Sequence, residues 1–171
     1  RAVVDDHGRK LHWGHGYSLH ITVIRPKSRG RLWLNSSNPA DPPAIDPAIL
    51  EEERDMEKLL QGTKVAQQIM RSSAFADVRG KPYYAAECDV DSVLREDIRS
   101  RADTQYHPVG TCKMGHDSMA VVDPQLRVHG IRGLRIADAS IMPNLVSGNT
   151  NAPAIMIGEK CADMIKQDWA G

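Results

Sequence analysis

Leu50 to Arg71 reads LEEERDMEKLLQGTKVAQQIMR, and the fold class turns on this stretch. Met56, Leu59, Leu60, Val65, Ala66, Ile69 and Met70 recur at helical spacing, which predicts an amphipathic α-helix. Glu51, Glu52 and Glu53 load its amino end with negative charge, which the helix dipole favours. Upstream the period changes to two: Leu19, Ile21 and Val23 share one face of an extended segment over Tyr17 to Ile24. Arg25 to Gly30 supplies a Pro-containing basic turn, and Arg31 to Leu34 reads as a second strand, predicting an antiparallel hairpin over Tyr17 to Leu34. Asn35 to Pro47 carries four prolines and predicts an irregular connection.

Downstream, Asp91 or Ser92 can cap a second helix that carries Val93, Leu94 and Ile98 and ends near Ala102. After Thr104 the character shifts: Gly110, Gly115, Gly130, Gly133 and Gly148 punctuate short apolar runs, and Leu134 to Ala137 reads as a buried strand. A last helix is predicted from Asn151, with Pro153 in its first turn, through Ile155, Ile157, Cys161, Ala162 and Ile165. The expected architecture is α+β, an antiparallel sheet backed by the 50–71 helix. The change near Thr104 divides the chain into 1–103 and 104–171.

Composition narrows the function. Twenty-two Lys plus Arg balance twenty-two Asp plus Glu, leaving no basic excess to neutralise a nucleic-acid backbone. No apolar run approaches the roughly 20 residues that cross a bilayer, and the first ten residues lack the apolar core of a signal peptide, so a cytoplasmic product is expected. Cys88, Cys112 and Cys161 are too few and too irregular for a disulfide framework or a structural zinc site, and Cys112 and Cys161 read as buried small hydrophobes. His12, His15 and His20 could converge on a metal. Their spacing puts His12 and His15 on opposite faces of a strand with no carboxylate or thiol to complete a set, so no metal is expected.

Chemistry concentrates in the last third. In Tyr106-His107-Pro108-Val109-Gly110-Thr111-Cys112, Pro108 pushes His107 toward an extended backbone. An imidazole held there is a candidate general base, with a hydrogen-bonded core histidine as the plain alternative. In Ser147-Gly148-Asn149-Thr150-Asn151, glycine and the asparagines permit tight or left-handed geometry. Asn149 can orient a substrate oxygen, or Asn149 or Asn151 can simply cap the helix. A helix starting at Asn151 points unpaired N–H groups and partial positive charge out of its amino end. Asp138-Ala139-Ser140 follows the expected 134–137 strand, where a backbone can approach a ligand or an Asp can cap a turn.

In their order and spacing these motifs, with Asn151-Ala152-Pro153, resemble the carboxyl-terminal part of the glucose-methanol-choline (GMC) flavoprotein oxidoreductases, in particular the choline and aliphatic alcohol dehydrogenase branch. Gly16-Tyr17-Ser18-Leu19-His20, Arg25-Pro26-Lys27-Ser28-Arg29-Gly30, Val121-Val122-Asp123-Pro124, Leu126-Arg127-Val128 and Gly133-Leu134-Arg135 extend the likeness along nearly the whole chain. The resemblance implies FAD as cofactor and a primary alcohol as substrate. It makes His107 the base, Asn149 the aligner of the alcohol oxygen, and Asp138, Ala139, Thr150, Asn151 and Pro153 neighbours of the flavin. Thr150 or Asn151 then takes the capping role. Residues 1–103 become a substrate-domain portion, and 104–171 the segment that completes the active site and the FAD-binding domain.

The Gly-x-Gly-x-x-Gly fingerprint for the FAD pyrophosphate is absent, and the chain opens on Arg1. The expectation is a fragment, inactive alone, whose partner is the amino-terminal FAD-binding part of the same protein and which self-associates through exposed apolar surface. The intact enzyme is expected in the cytoplasm or peripheral to the inner membrane, with oxygen or a quinone-like molecule reoxidising it. A non-catalytic globular module and a metal-binding module are the alternatives of other classes.

Overall fold

The computed structural model describes residues 3–5, 10–84 and 88–170, and for 3–5 and 10–12 the backbone alone. The helices are α1 (Glu53–Arg71), α2 (Asp91–Arg101) and α3 (Asn151–Trp169), with short 3-10 turns at Ser73–Val78 and Ala139–Ile141. β1 (Val3–Asp5) pairs antiparallel with β2 (Lys10–His12), and β3 (Arg31–Trp33) with β4 (Ala44–Asp46). The chain divides into two compact units, one of Arg1–Gly30 with Pro47–Asp103 and one of Arg31–Asp46 with Thr104–Gly171. Among the described residues, no helix is long and apolar enough to cross a membrane.

In the first unit α1 packs on α2 through Met56, Leu60, Leu94 and Ile98. The buried stripe of α1 is narrower than the sequence predicts, because Val65 and Ile69 are exposed. At roughly 100° per residue they fall about half a turn from Met56, while Gln67 returns to its side. Gln67 is buried accordingly, and its amide donates to the Cys88 carbonyl at 2.9 Å. Arg95 spans the helix pair, donating to Glu53 at 2.5 Å and to Glu57. The expected cap at Asp91 or Ser92 is not made: Val90 holds the cap position, and Asp91, already helical, pairs with Lys64 at 2.6 Å.

Asp55 is the exceptional group of this unit. Its carboxylate is 2% exposed and accepts from the Lys27 N–H at 2.9 Å, the Ser28 N–H at 2.8 Å and the Ser28 hydroxyl at 2.7 Å. Ser28 Oγ in turn accepts from the Glu52 N–H at 3.1 Å. The basic turn is thus tied to the first turn of α1. Burial by itself would push the Asp55 pKa up; the hydrogen bonds from Ser28 and Lys27, with the charge of Lys58, outweigh it and hold the group below its ordinary value.

The predicted hairpin over Tyr17 to Leu34 does not form. Ile21 and Val23 are half-buried between exposed neighbours, but Leu19, expected on the same face, is exposed, and residues 16–23 have no ladder partner among the described residues. Ile21 packs against α1 instead, at Gly62, where a Cβ would stand 2.4 Å from the Ile21 Cγ2. Arg31–Trp33 finds its partner later, in register Leu32 with Ile45, inside the segment expected to be irregular. Between Pro43 and Pro47, Ala44–Asp46 keeps three N–H groups, enough for this short ladder. Asp41 closes the loop, accepting from Ser36 at 2.5 Å and Asn38 at 3.0 Å. The expected sheet backed by the 50–71 helix is therefore reduced to two separate two-stranded ladders.

The core of the second unit is Val122, Leu126, Ile141, Met142, Ile157 and Cys161. Leu134 to Ala137 is no strand: Leu134 is exposed, and only an isolated bridge joins Arg135 to Arg127. Irregular backbone is satisfied locally there, with Val128 N–H on Leu134 O and Ile136 N–H on Leu126 O. α3 starts at Asn151 as the sequence predicts and buries Ile157 and Cys161, leaving Ile155 and Ile165 exposed. Its far end is held by Asp168, paired with Arg135 at 2.6 Å. Cys112 is half-buried, and all three cysteines are free thiols.

Candidate active site

The second unit brings its three motifs onto one core. The segment after His107 turns at Gly110 (φ 94°), whose missing Cβ lets the backbone pass the Met142 carbonyl; a Cβ there would stand 3.3 Å from that oxygen. Cys112 N–H then donates to Ser140 O at 3.0 Å and Met114 N–H to Ile141 O at 2.8 Å. This fastens the His107 segment to the Ala139–Ile141 turn, which itself packs on α3. Asp138 caps that turn, accepting from the Ser140 N–H at 2.7 Å.

His107 is half-buried, and its ring meets the start of α3. Nδ1 lies 3.0 Å from Thr150 Oγ1 and accepts from the Thr150 N–H at 3.3 Å. Nε2 has no hydrogen-bond partner among the described residues. Strain flanks both halves of the site: Tyr106, next to His107, has φ 63°, and Ser147, two residues before Asn149, has φ 69°. A left-handed non-glycine residue costs on the order of 1–3 kcal/mol and persists only where its surroundings over-determine it. The sequence assigned such geometry to glycine and asparagine in this loop, and the structure gives it to Ser147.

Thr150 occupies the cap position of α3 without making a side-chain cap, and Asn151 is already helical. The expected capping bond is thus absent, because the Thr150 hydroxyl, buried at 7% exposure, is engaged by His107. Asn149 is exposed, and its side chain makes no hydrogen bond with a described residue. The Asn151 and Ala152 N–H groups are unpaired among the described residues, and Pro153 has none to offer. The helix end therefore presents two donors and its positive dipole end to whatever electron-rich group lies before it.

Sequence reasoning missed one residue and one partnership. Asp55 gave no signal beyond one acid among several at a helix start. The partnership of Thr150 with His107 spans forty-three positions and leaves no local trace. Two surface clefts in the first unit, one lined by Ser92, Val93, Glu96, Asp97 and Ser100 and one by Lys64, Gln67, Gln68, Arg71 and Asp89, include none of the predicted site residues. His15 and His20 are exposed beyond β2, the His12 side chain lies outside the described residues, and no metal-binding group of three is gathered among the described residues.

Comparison with known proteins identifies the family. Residues 26–158 match the family model described as GMC oxidoreductase. The chain is 50% identical over 165 residues to the alcohol dehydrogenase [acceptor] of Pseudomonas putida, covering 96% of this chain and 30% of that protein. It is 44% identical over 153 residues to an oxygen-dependent choline dehydrogenase of Escherichia coli, covering 89% and 27%. Among solved structures, pyridoxine 4-oxidase from Mesorbium loti superposes with a TM-score of 0.79 at 32% identity, over 84% of this chain and 28% of that one. A formate oxidase gives 0.78 at 32%, over 85% and 26%. The chain thus spans under a third of the length of these relatives. With its family model matched over most of its length and its motifs gathered on one core, the chain belongs to the GMC oxidoreductase family.

Proposed function

We propose that this chain is the carboxyl-terminal part of an FAD-dependent alcohol dehydrogenase acting on primary alcohols, choline-like or aliphatic, and that residues 104–171 carry its half of the active site. The observation that carries the reading is the half-buried His107, its Nδ1 held by Thr150 at the start of α3 and its Nε2 unengaged. The neighbours named alcohol and choline dehydrogenases, at 50% and 44% identity, support the substrate class. The unpaired N–H groups of Asn151 and Ala152 at a positive helix end fit the electron-rich edge of a flavin ring. Asp138 and Ala139, in the turn packed on α3, would stand near it through their backbone. When bound, FAD supplies the acceptor for the hydride that leaves the alcohol carbon.

His107 takes the hydroxyl proton at Nε2, and Asn149, exposed and uncommitted, orients the alcohol oxygen through its amide. With its hydroxyl proton on the imidazole, the alcohol would be released as an aldehyde once oxidised. Residues 1–103 form part of the substrate-facing portion. The exposed Ile155 and Met156 of α3 are covered by the remainder of the longer polypeptide.

The test is an assay of the polypeptide that joins this chain to its flavin-binding part, with primary alcohols and either oxygen or a quinone as acceptor. Alcohol-dependent loss of the oxidised-flavin absorbance, abolished in His107→Ala, is expected. A preparation that binds FAD yet is bleached by no alcohol, or a His107→Ala variant that turns over normally, would refute the reading.

A further inference from the structure

Two groups of Thr150 address the same nitrogen of His107, the backbone N–H at 3.3 Å and the hydroxyl oxygen at 3.0 Å. They differ in what they can do. The N–H only donates, so while that bond stands Nδ1 is an acceptor and the proton of the neutral ring sits on Nε2. In that form Nε2 already carries a hydrogen and cannot receive one from an alcohol. The hydroxyl donates or accepts, and among the described residues it is the one group on Nδ1 that can accept from a proton-bearing Nδ1. Thr150 is buried, so water does not readily replace that hydroxyl.

We infer that Thr150 is a positioning residue that switches the tautomer of His107, holding the free site in the Nε2–H form through its N–H and, when that 3.3 Å bond is released and its hydroxyl turns from donor to acceptor, permitting the Nδ1–H form in which Nε2 is a base. The ring exchanges protons with solvent, gaining one at Nδ1 and losing the one on Nε2, with no net transfer. The trigger is an alcohol whose hydroxyl donates to Nε2. The inference rests on the proposed role of His107 and adds a second residue that this role requires. Thr150→Val deletes the hydroxyl but keeps the N–H, and leaves the ring confined to the Nε2–H form.

Long-range proton–nitrogen correlation NMR of the histidine-labelled, FAD-loaded full-length enzyme reads the tautomer directly, with His107→Gln identifying the signal. Wild type and Thr150→Ser are expected as Nε2–H when free and as Nδ1–H with trifluoroethanol, a primary alcohol that is a poor hydride donor. Thr150→Val, and Thr150→Ala should the valine variant not fold, are expected to stay Nε2–H with and without it. Turnover should fall about a hundredfold in both and return in Thr150→Ser, in line with loss of general-base catalysis. The inference is overturned by an Nδ1–H ring in the free wild type, by identical spectra in wild type and Thr150→Val, or by undiminished turnover in the valine or alanine variant. Wild-type turnover in His107→Gln would instead defeat the proposed role of His107, whatever the tautomers show.

Discussion

The two units solve the same problem with different materials. The first relies on regular helices whose apolar stripes meet and whose ends are fixed by Arg95 and Asp55. The second has one long helix and otherwise irregular backbone, fastened by bonds such as Met114 N–H to Ile141 O and bent at strained residues such as Tyr106 and Ser147. Regular structure is economical for building a body but fixes every backbone direction in advance. Irregular backbone, individually satisfied, lets His107 arrive at the end of α3 from a distant part of the chain.

The largest expected effect breaks the second unit's chemistry without touching its fold. His107→Ala in the full-length enzyme should reduce turnover by about a hundred- to ten-thousandfold, while urea unfolding shifts by no more than about 1 kcal/mol because the residue is half-buried and makes few bonds. A large stability loss with it would mean that His107 is chiefly a packing residue. The counterpart in the first unit is Asp55→Ala, which leaves the Lys27 and Ser28 N–H groups and the Ser28 hydroxyl without their acceptor. It should cost about 3 kcal/mol, read from the urea midpoint.

Asp55 also sets a pH dependence. Its folded-state pKa lies below the ordinary value, so its contribution is complete above the unfolded carboxylate pKa of about 3.9 and is lost as pH falls through the lower folded value. Urea midpoints followed from neutral pH into acid should decline less steeply in Asp55→Asn than in wild type. Equal slopes would show that the clamp is not selective for the charged carboxylate.

These contrasts explain what could be read in advance. Helices α1, α2 and α3 were legible because their periodic apolar residues and breakers are local signals, though Val65 and Ile69 show that a list of apolar positions is not yet a face. The partner of Arg31–Trp33 was not legible. Pairing is decided by which short segment with free N–H groups returns alongside, and the alternation at Tyr17 to Ile24 reported the partial burial of Ile21 and Val23 rather than a ladder. His107 and Asn149 stood out through family motifs, whereas Thr150 read as a cap because capping is the local use of threonine before a helix. Its actual partner lies across the fold.

Smaller effects sharpen the comparison within the first unit. Gly62→Ala improves helix propensity but sets a methyl into Ile21, and the clash should prevail, for a net loss of about 1 kcal/mol by thermal melting. A gain would show that Ile21 can step aside. Replacing Lys64 to remove its exposed pair with Asp91 should change stability by less than about 0.5 kcal/mol, within the range of surface ion pairs.

The Asp55 clamp has a further consequence for how the molecule breathes. Lys27 and Ser28 lie in a segment with no helix or strand of its own, where amides ordinarily exchange with solvent quickly. Their N–H groups can open only by baring a buried carboxylate at the root of α1. Their amide protons should therefore exchange together with those of the first turns of α1, as one cooperative opening unit rather than as a loop.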